Sequence, residues 1–178
     1  VSLSWAPALE RPDLLAPSVL AAVRGMPSDL SAQLQVAEID PDHADTAVLV
    51  EQTGMAMEDM ANCIIVSGTR AGEERVCAAL VQGHTRADVN KTIRKLLDVR
   101  KASFMSTDDA VERTGMEYGA ITPVGLPDGW PVLVDTRVGE RELIIIGSGL
   151  RRSKLRLPGS LAAGLPGARS VEGLAFET

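Results

Sequence analysis

Aromatic residues are scarce in this chain: two Phe, two Trp and one Tyr among 178 residues. Packing must fall to Val, Ile, Leu, Ala and Met, in a sequence that is 45% hydrophobic and of a length that fits one domain, residues 1–178. Histidine is nearly absent, with only His43 and His84. Each sits at an expected helix boundary in polar surroundings, which argues against an imidazole-activated serine. Cysteine is limited to Cys63 and Cys77, each inside an expected strand, with no Cys or His at metal-ligand spacing. They read as small buried thiols in a reducing compartment, and neither a disulfide nor a metal site is expected. No apolar run approaches the length of a membrane span. The first residues lack the basic region and apolar stretch of a secretory signal, so a cytoplasmic protein with no membrane partner is expected.

What is present is an uneven charge. The net value is −6, yet Arg24 and Arg70 bracket a segment with eight acids and no Lys or Arg. Between Glu142 and Glu172 the pattern inverts: there is no acid, but Arg151, Arg152, Lys154, Arg156 and Arg169. An acidic chain can still meet phosphates through a local basic face. The four cations from Arg151 to Arg156 follow a glycine loop and are the best placed for that. Arg86 to Lys101 forms a second basic cluster, read as a solvated helix face.

Periodicity gives a coarse map. Residues 1–12 are Pro-rich and aperiodic, a loosely ordered lead-in. A helix is expected from about Pro17 to Arg24 and a strand over Leu34 to Ile39. Asp40-Pro41 starts a helix running to Thr53, capped by Gly54. Met55 to Met60 reads as a further helical turn. Asn62 to Val66 and Arg75 to Val81 form a hairpin around Ala71-Gly72. Thr85 is expected to cap a helix whose core face is Val89, Ile93, Leu96 and Leu97. Ala102 to Met105 reads as a short strand, and a helix follows from Ser106 to Gly115. Ala120 to Val124 and Val132 to Val134 read as strands of a second hairpin around Pro127-Asp128-Gly129. Leu143 to Ile146 reads as a buried central strand, Lys154 to Leu157 as another strand, Leu161 to Leu165 as a short helix and Ser170 to Ala175 as an edge. Two hairpins without a strict βαβ rhythm predict an α+β fold: a mixed, largely antiparallel twisted sheet flanked by helices.

Two loops carry the chemical signal. In Gly119-Ala120-Ile121-Thr122-Pro123, glycine lets a ligand approach the backbone and proline fixes the far end. Rigid N–H groups between them can bind a carbonyl oxygen or an oxyanion. In Gly147-Ser148-Gly149, successive N–H groups can form an anion-binding nest, and Ser148 can donate to a ribose hydroxyl or a phosphate.

From about Leu34 to Ala175 the sequence resembles the YbaK/ProX family, relatives of the editing insertion of bacterial prolyl-tRNA synthetase. The resemblance rests on Gln35-Val36-Ala37-Glu38-Ile39-Asp40-Pro41, Met60-Ala61-Asn62-Cys63-Ile64-Ile65-Val66 and Val111-Glu112-Arg113-Thr114-Gly115. It continues in Gly119-Ala120-Ile121-Thr122-Pro123-Val124-Gly125 and Ile145-Ile146-Gly147-Ser148-Gly149, in that order. The resemblance implies hydrolysis of the ester between a wrong amino acid and the tRNA 3′ end, with no cofactor. It also implies that the Gly119–Pro123 loop and Gly147–Gly149 line one pocket, and that backbone groups and the terminal adenosine place the attacking water. Asn62 stands where the family usually carries a lysine, and Lys154 where it often carries an acid. Lys154 can restore the charge missing at 62.

The reading is a trans-acting aminoacyl-tRNA deacylase. Gly119 and Asn62 are the catalytic pair, and Thr122, Pro123, Gly147, Ser148, Gly149 and Lys154 bind substrate. Arg151, Arg152 and Arg156 meet the partner, a mischarged tRNA, with or without a synthetase. The alternative is a non-catalytic aminoacyl- or nucleotide-binding or regulatory module that retains the fold.

Overall fold

The computed structural model describes Val1–Thr178. Its strands, in chain order, are β1 (Ala6–Pro7), β2 (Gln35–Glu38), β3 (Ala61–Arg70), β4 (Glu73–Gln82), β5 (Thr85–Ala87) and β6 (Ala102–Phe104). They continue as β7 (Val132–Asp135), β8 (Ile144–Gly147), β9 (Ser153–Leu157), β10 (Ala168–Val171) and β11 (Ala175–Glu177). The helices are α1 (Pro17–Arg24), α2 (Ser28–Ser31), α3 (Thr46–Thr53), α4 (Arg94–Leu97), α5 (Thr107–Thr114), α6 (Thr136–Gly139) and α7 (Gly159–Ala163). One sheet has the order β1-β2-β9-β8, a second β10-β7-β4-β3-β6, and β11 pairs with β5. Only β7 pairs in parallel, with β4 and β10; every other strand pair is antiparallel. The α+β, mixed and largely antiparallel class is therefore as expected. No helix is long and apolar enough to cross a membrane.

The hairpin of β3 and β4 is the longest ladder, and Arg70 pairs with Glu73 across a two-residue turn. Ala71 and Gly72 both have positive φ, 51° and 81°. That is the turn whose twist matches the flanking strands, though Ala bears a steric cost there that Gly does not. The largest buried cluster gathers Leu14, Leu34, Leu80, Met116, Ile144, Ile146, Leu155 and Leu157, so aliphatics do fill the core.

Several local expectations fail for tertiary reasons. The lead-in is packed: β1 pairs with β2, and Ala8 is fully buried. The helix expected from Asp40 is two pieces, a 3-10 turn over Pro41–His43 and then α3, whose N-cap is Asp45. Met57–Asp59 is likewise a 3-10 turn. Thr85 lies in β5 and donates its hydroxyl to the Gln82 carbonyl at 2.7 Å. The cap there is Asp88, which accepts from the Thr92 N–H. Ala120 to Val124 is not a strand, so the second hairpin does not form; β7 instead runs parallel to its neighbours. Strand β8 is fully buried yet terminates its sheet's hydrogen-bonded order rather than occupying the centre.

The two main sheets meet where Met60 bridges Ile145 in parallel. Further along β3, Met105 N–H donates to the Ile65 carbonyl at 2.9 Å and β6 pairs with Val66 to Gly68. Between these points no strand covers that side of β3. Ladder alternation aims the backbone groups of Cys63 to the same side as those of Ile65, into this gap.

Candidate active site

A cavity of about 290 Å³ opens at this gap. Asn62 and Cys63 from β3, Gly119 and Ile121 from the loop after α5, Gly147 from β8 and Lys154 from β9 all line it. Larger cavities lie near the N-terminus and behind Pro123, but neither brings these groups together.

Glycine determines how the two loops meet. A Cβ on Gly147 would lie 2.5 Å from the Ala120 carbonyl oxygen and 2.9 Å from that of Ile121. Only a residue without a side chain lets β8 pass this close to the loop. The contact is stitched by two backbone bonds: Gly149 N–H to Ala120 O and Glu117 N–H to Gly149 O, both 2.8 Å. Gly119 has φ +74°, and a Cβ there would lie 2.6 Å from Nη1 of Arg151. That guanidinium donates to the carbonyls of Tyr118 at 3.0 Å and Pro41 at 3.1 Å. It ties the loop to the turn before α3. The N–H groups of Gly119 and Ile121 donate to nothing within the chain. Both residues line the cavity, so these two N–H groups are uncommitted donors in its wall.

Asn62 is held from one side only. The Thr46 hydroxyl donates to Oδ1 of Asn62 at 2.8 Å, which commits the amide oxygen and leaves the NH₂ as a donor. Thr46 opens α3 directly after Asp45, whose carboxylate accepts from Ala47 N–H at 3.0 Å and Val48 N–H at 3.4 Å.

Lys154 is only 8% exposed. It makes no ion pair within 4.0 Å and no hydrogen bond through its ammonium. Burial lowers its pKa to about 8; Asp45 opposes that shift and Arg151 adds to it. The residue is buried, but its ammonium touches solvent through the cavity. A largely desolvated cation with no protein partner is a candidate ligand contact. Cys63 is the opposite case: burial pushes its thiol up to about 12, so it is no nucleophile at neutral pH. No His, Asp or Glu lines the cavity, and no three metal-ligating side chains gather anywhere in the chain.

Four of the expected substrate contacts do not reach this cavity. Thr122 is fully buried, with its N–H aimed at the Met116 sulfur at 3.4 Å, and Pro123 lines the apolar cavity beside Trp130. The Ser148 hydroxyl is buried 2.6 Å from Ser153 Oγ and bonds the Leu150 and Ser153 carbonyls. This corrects the expectation that it meets a ribose or phosphate: its hydrogen bonds are spent inside the protein. Gly149, at φ +86°, packs where a Cβ would lie 2.4 Å from that of Ala16, a structural role.

The basic segment is also not a free row. Arg156 stacks over Trp5 at 4.4 Å and donates to Oε1 of Gln35, Arg152 donates to the Asp13 carbonyl, and Arg151 is tethered as described. Sequence reasoning missed Thr46, which bonds Asn62 from α3, and the cavity-lining Cys63, Phe104 and Tyr118; of these, Thr46 and Phe104 come from segments distant in sequence from every expected site residue.

Residues 40–163 match the model of the aminoacyl-tRNA editing domain. No curated protein matches the chain. Among solved structures, the hypothetical protein APE2540 is similar with a TM-score of 0.75 and 19% identity, over 89% of this chain and 99% of that one. A candidate trans-editing enzyme for prolyl tRNA synthetase is similar with a TM-score of 0.73 and 21% identity, over 92% of this chain and 99% of that one. A candidate signal transduction protein from Marinobacter aquaeolei VT8 is similar at a TM-score of 0.62 and 16% identity, over 90% of this chain but 30% of that one. At these identities the structures speak for the fold, while the match over residues 40–163 speaks for the family. The chain belongs to the aminoacyl-tRNA editing domain family.

Proposed function

We propose that this chain is a single editing domain that acts in trans as an aminoacyl-tRNA deacylase, hydrolysing the ester of mischarged tRNA. The observation that carries the reading is the unpaired, buried Lys154 in one cavity with the free donors of Asn62, Gly119 and Ile121. An ester needs little more. Water attacks the carbonyl carbon, the carbonyl oxygen gathers negative charge, and the bond to the ribose oxygen breaks. The ribose oxygen takes a proton as the amino acid leaves with the new hydroxyl.

The free N–H groups of Gly119 and Ile121 are the donors for the developing oxyanion. One such donor is worth on the order of 10²–10³ in rate. Lys154 supplies positive charge from inside a low-dielectric wall, the place where a lysine at position 62 would have acted. Asn62 contributes its NH₂ without adding a second charge. With no carboxylate or imidazole in the cavity, orientation and electrostatics carry the rate rather than a protein base. Of the proposed contacts to the tRNA body, with or without a synthetase beside it, Arg152 is the exposed one; Arg151 and Arg156 can take part only from the side left open by their ties to Tyr118 and Pro41 and to Gln35 and Trp5.

The test is a deacylation screen against mischarged tRNAs with wild type, Gly119→Ala and Asn62→Ala. The reading requires that at least one ester be cleaved by wild type and that both variants lose most of that activity. A protein that binds these tRNAs and cleaves none is a non-catalytic module.

A further inference from the structure

A chain with so few aromatics leaves three of them in water: Phe104 at 60% exposure, Tyr118 at 63% and Phe176 at 52%. The two tryptophans are half-buried under Arg156 and Arg113. Of the three exposed rings, two belong to the same small cavity, the one that holds Lys154 and Asn62. They reach it from unrelated parts of the fold. Phe104 ends the edge strand β6, one residue before the bond from Met105 to Ile65. Tyr118 directly precedes Gly119.

Neither position is explained by packing. An exposed ring forgoes roughly 1.5–3 kcal/mol of burial. The cavity therefore carries two exposed aromatic rings, that of Tyr118 with Arg151 over it, beside uncommitted hydrogen-bond donors and the Lys154 cation. Tyr118 is also held in place. Arg151 lies over its ring at 5.3 Å and donates to its carbonyl at 3.0 Å. One ligand chemistry matches both features of this cavity. It carries carbonyl or phosphate oxygens for the donors and flat π-systems for the rings, as the unpaired end of an RNA strand does.

We infer that Phe104 and Tyr118 form a stacking rim that receives the unpaired bases at the 3′ end of the RNA while the ester sits at Lys154. This rests on the deacylase reading for the ester but not for the stacking. Stacking tolerates any base, because every base has a π-face. The rim should thus require bases at the end of the strand without discriminating strongly among them.

The experiment measures the affinity of the full chain for an uncharged RNA hairpin with a single-stranded 3′ tail, and for the same hairpin with abasic tail positions. Wild type should bind the intact tail more tightly. Phe104→Leu and Tyr118→Leu keep apolar bulk but lose the ring. Each should weaken the intact tail about 5- to 100-fold and leave the abasic hairpin unchanged. Phe104→Trp should keep the affinity, and its indole emission should be quenched by the intact tail only. Equal affinity of wild type for the two hairpins overturns the inference. So does a loss that is the same for both hairpins in leucine variants that melt like wild type, which would mark a docking surface for the duplex. A chain that shows the tail-specific loss but hydrolyses no ester refutes the deacylase reading alone. One that deacylates normally in both leucine variants, with unchanged KM, refutes the rim alone.

Discussion

The hydroxyl of Thr46 and the amide oxygen of Asn62 lie 2.8 Å apart, joining the first residue of α3 to the second residue of β3. This bond commits the amide oxygen of Asn62 to the protein and leaves its NH₂ as a donor. Thr46→Val removes the donor at little cost in volume and lets the amide rotate. A neutral hydrogen bond is worth about 1 kcal/mol, so deacylation should fall several-fold in kcat/KM with only a small change in melting temperature. Asn62→Asp keeps the bond from Thr46 but loses the NH₂ and places a carboxylate in the cavity with Lys154. It should lower activity further and raise the lysine's pKa, measured by NMR of the labelled ammonium. Asn62→Lys would put two ammoniums in one cavity and should lower activity rather than raise it.

The Gly119→Ala variant has two effects that a control separates. The backbone there is left-handed, and the new methyl would lie 2.6 Å from Nη1 of Arg151. Strain costs about 1 kcal/mol, and displacing Arg151 releases the carbonyls of Tyr118 and Pro41. Gly129 is also left-handed, at φ +84°, but has no atom within 4 Å of a new Cβ. Gly129→Ala should melt a few degrees lower, like Gly119→Ala, and keep full deacylation, whereas Gly119→Ala should lose it. The comparison needs only a melting curve and a deacylation time course.

Ala71 tests the hairpin turn without touching the site. Its φ of 51° is one that Asn adopts more readily than Ala. Ala71→Asn should stabilise the protein by roughly 0.5–1 kcal/mol in urea unfolding, with unchanged activity.

The glycines were legible in the sequence because their roles are local. Gly147 marks a close backbone approach and Gly119 a left-handed turn against Arg151, and the order of the motifs around them identified the fold. Asn62 and Lys154 were legible as an exchange of charge between two positions, and the structure places both on one cavity. What could not be read arose from distant packing. Ala120 to Val124 has the apolar content of a strand, but Gly119 turns the chain, Thr122 is drawn into the core and Pro123 faces another cavity. Ser148 looked like a ligand because its glycine neighbours resemble a nest; its actual partner, Ser153, sits across a turn in β9. Arg152 and Arg156 looked free because their partners, the Asp13 carbonyl and Gln35, lie in segments far off in the chain.

Lys154 sets the pH dependence. Its pKa in the folded protein, about 8, lies below its ordinary value of 10.5. Between those values the unfolded chain binds the extra proton, so stability gains from Lys154 as pH rises from about 8 to 10.5. Below pH 8 the charged lysine costs roughly 3 kcal/mol. Activity should run the other way. The ratio of catalysed to uncatalysed hydrolysis should fall as pH rises through about 8, where the cation is lost, and a pH–rate profile on a single mischarged tRNA reads this directly.

Lys154→Met therefore gives the most direct test of the account, because function and stability must move in opposite directions. At neutral pH the variant should melt several degrees above wild type and deacylate the best mischarged tRNA at least a hundredfold more slowly, the order of effect of one electrostatic contact in the transition state. A variant that keeps the wild-type deacylation rate, or that loses stability and activity together, would contradict the assignment of Lys154 as the charge that this cavity holds for its substrate.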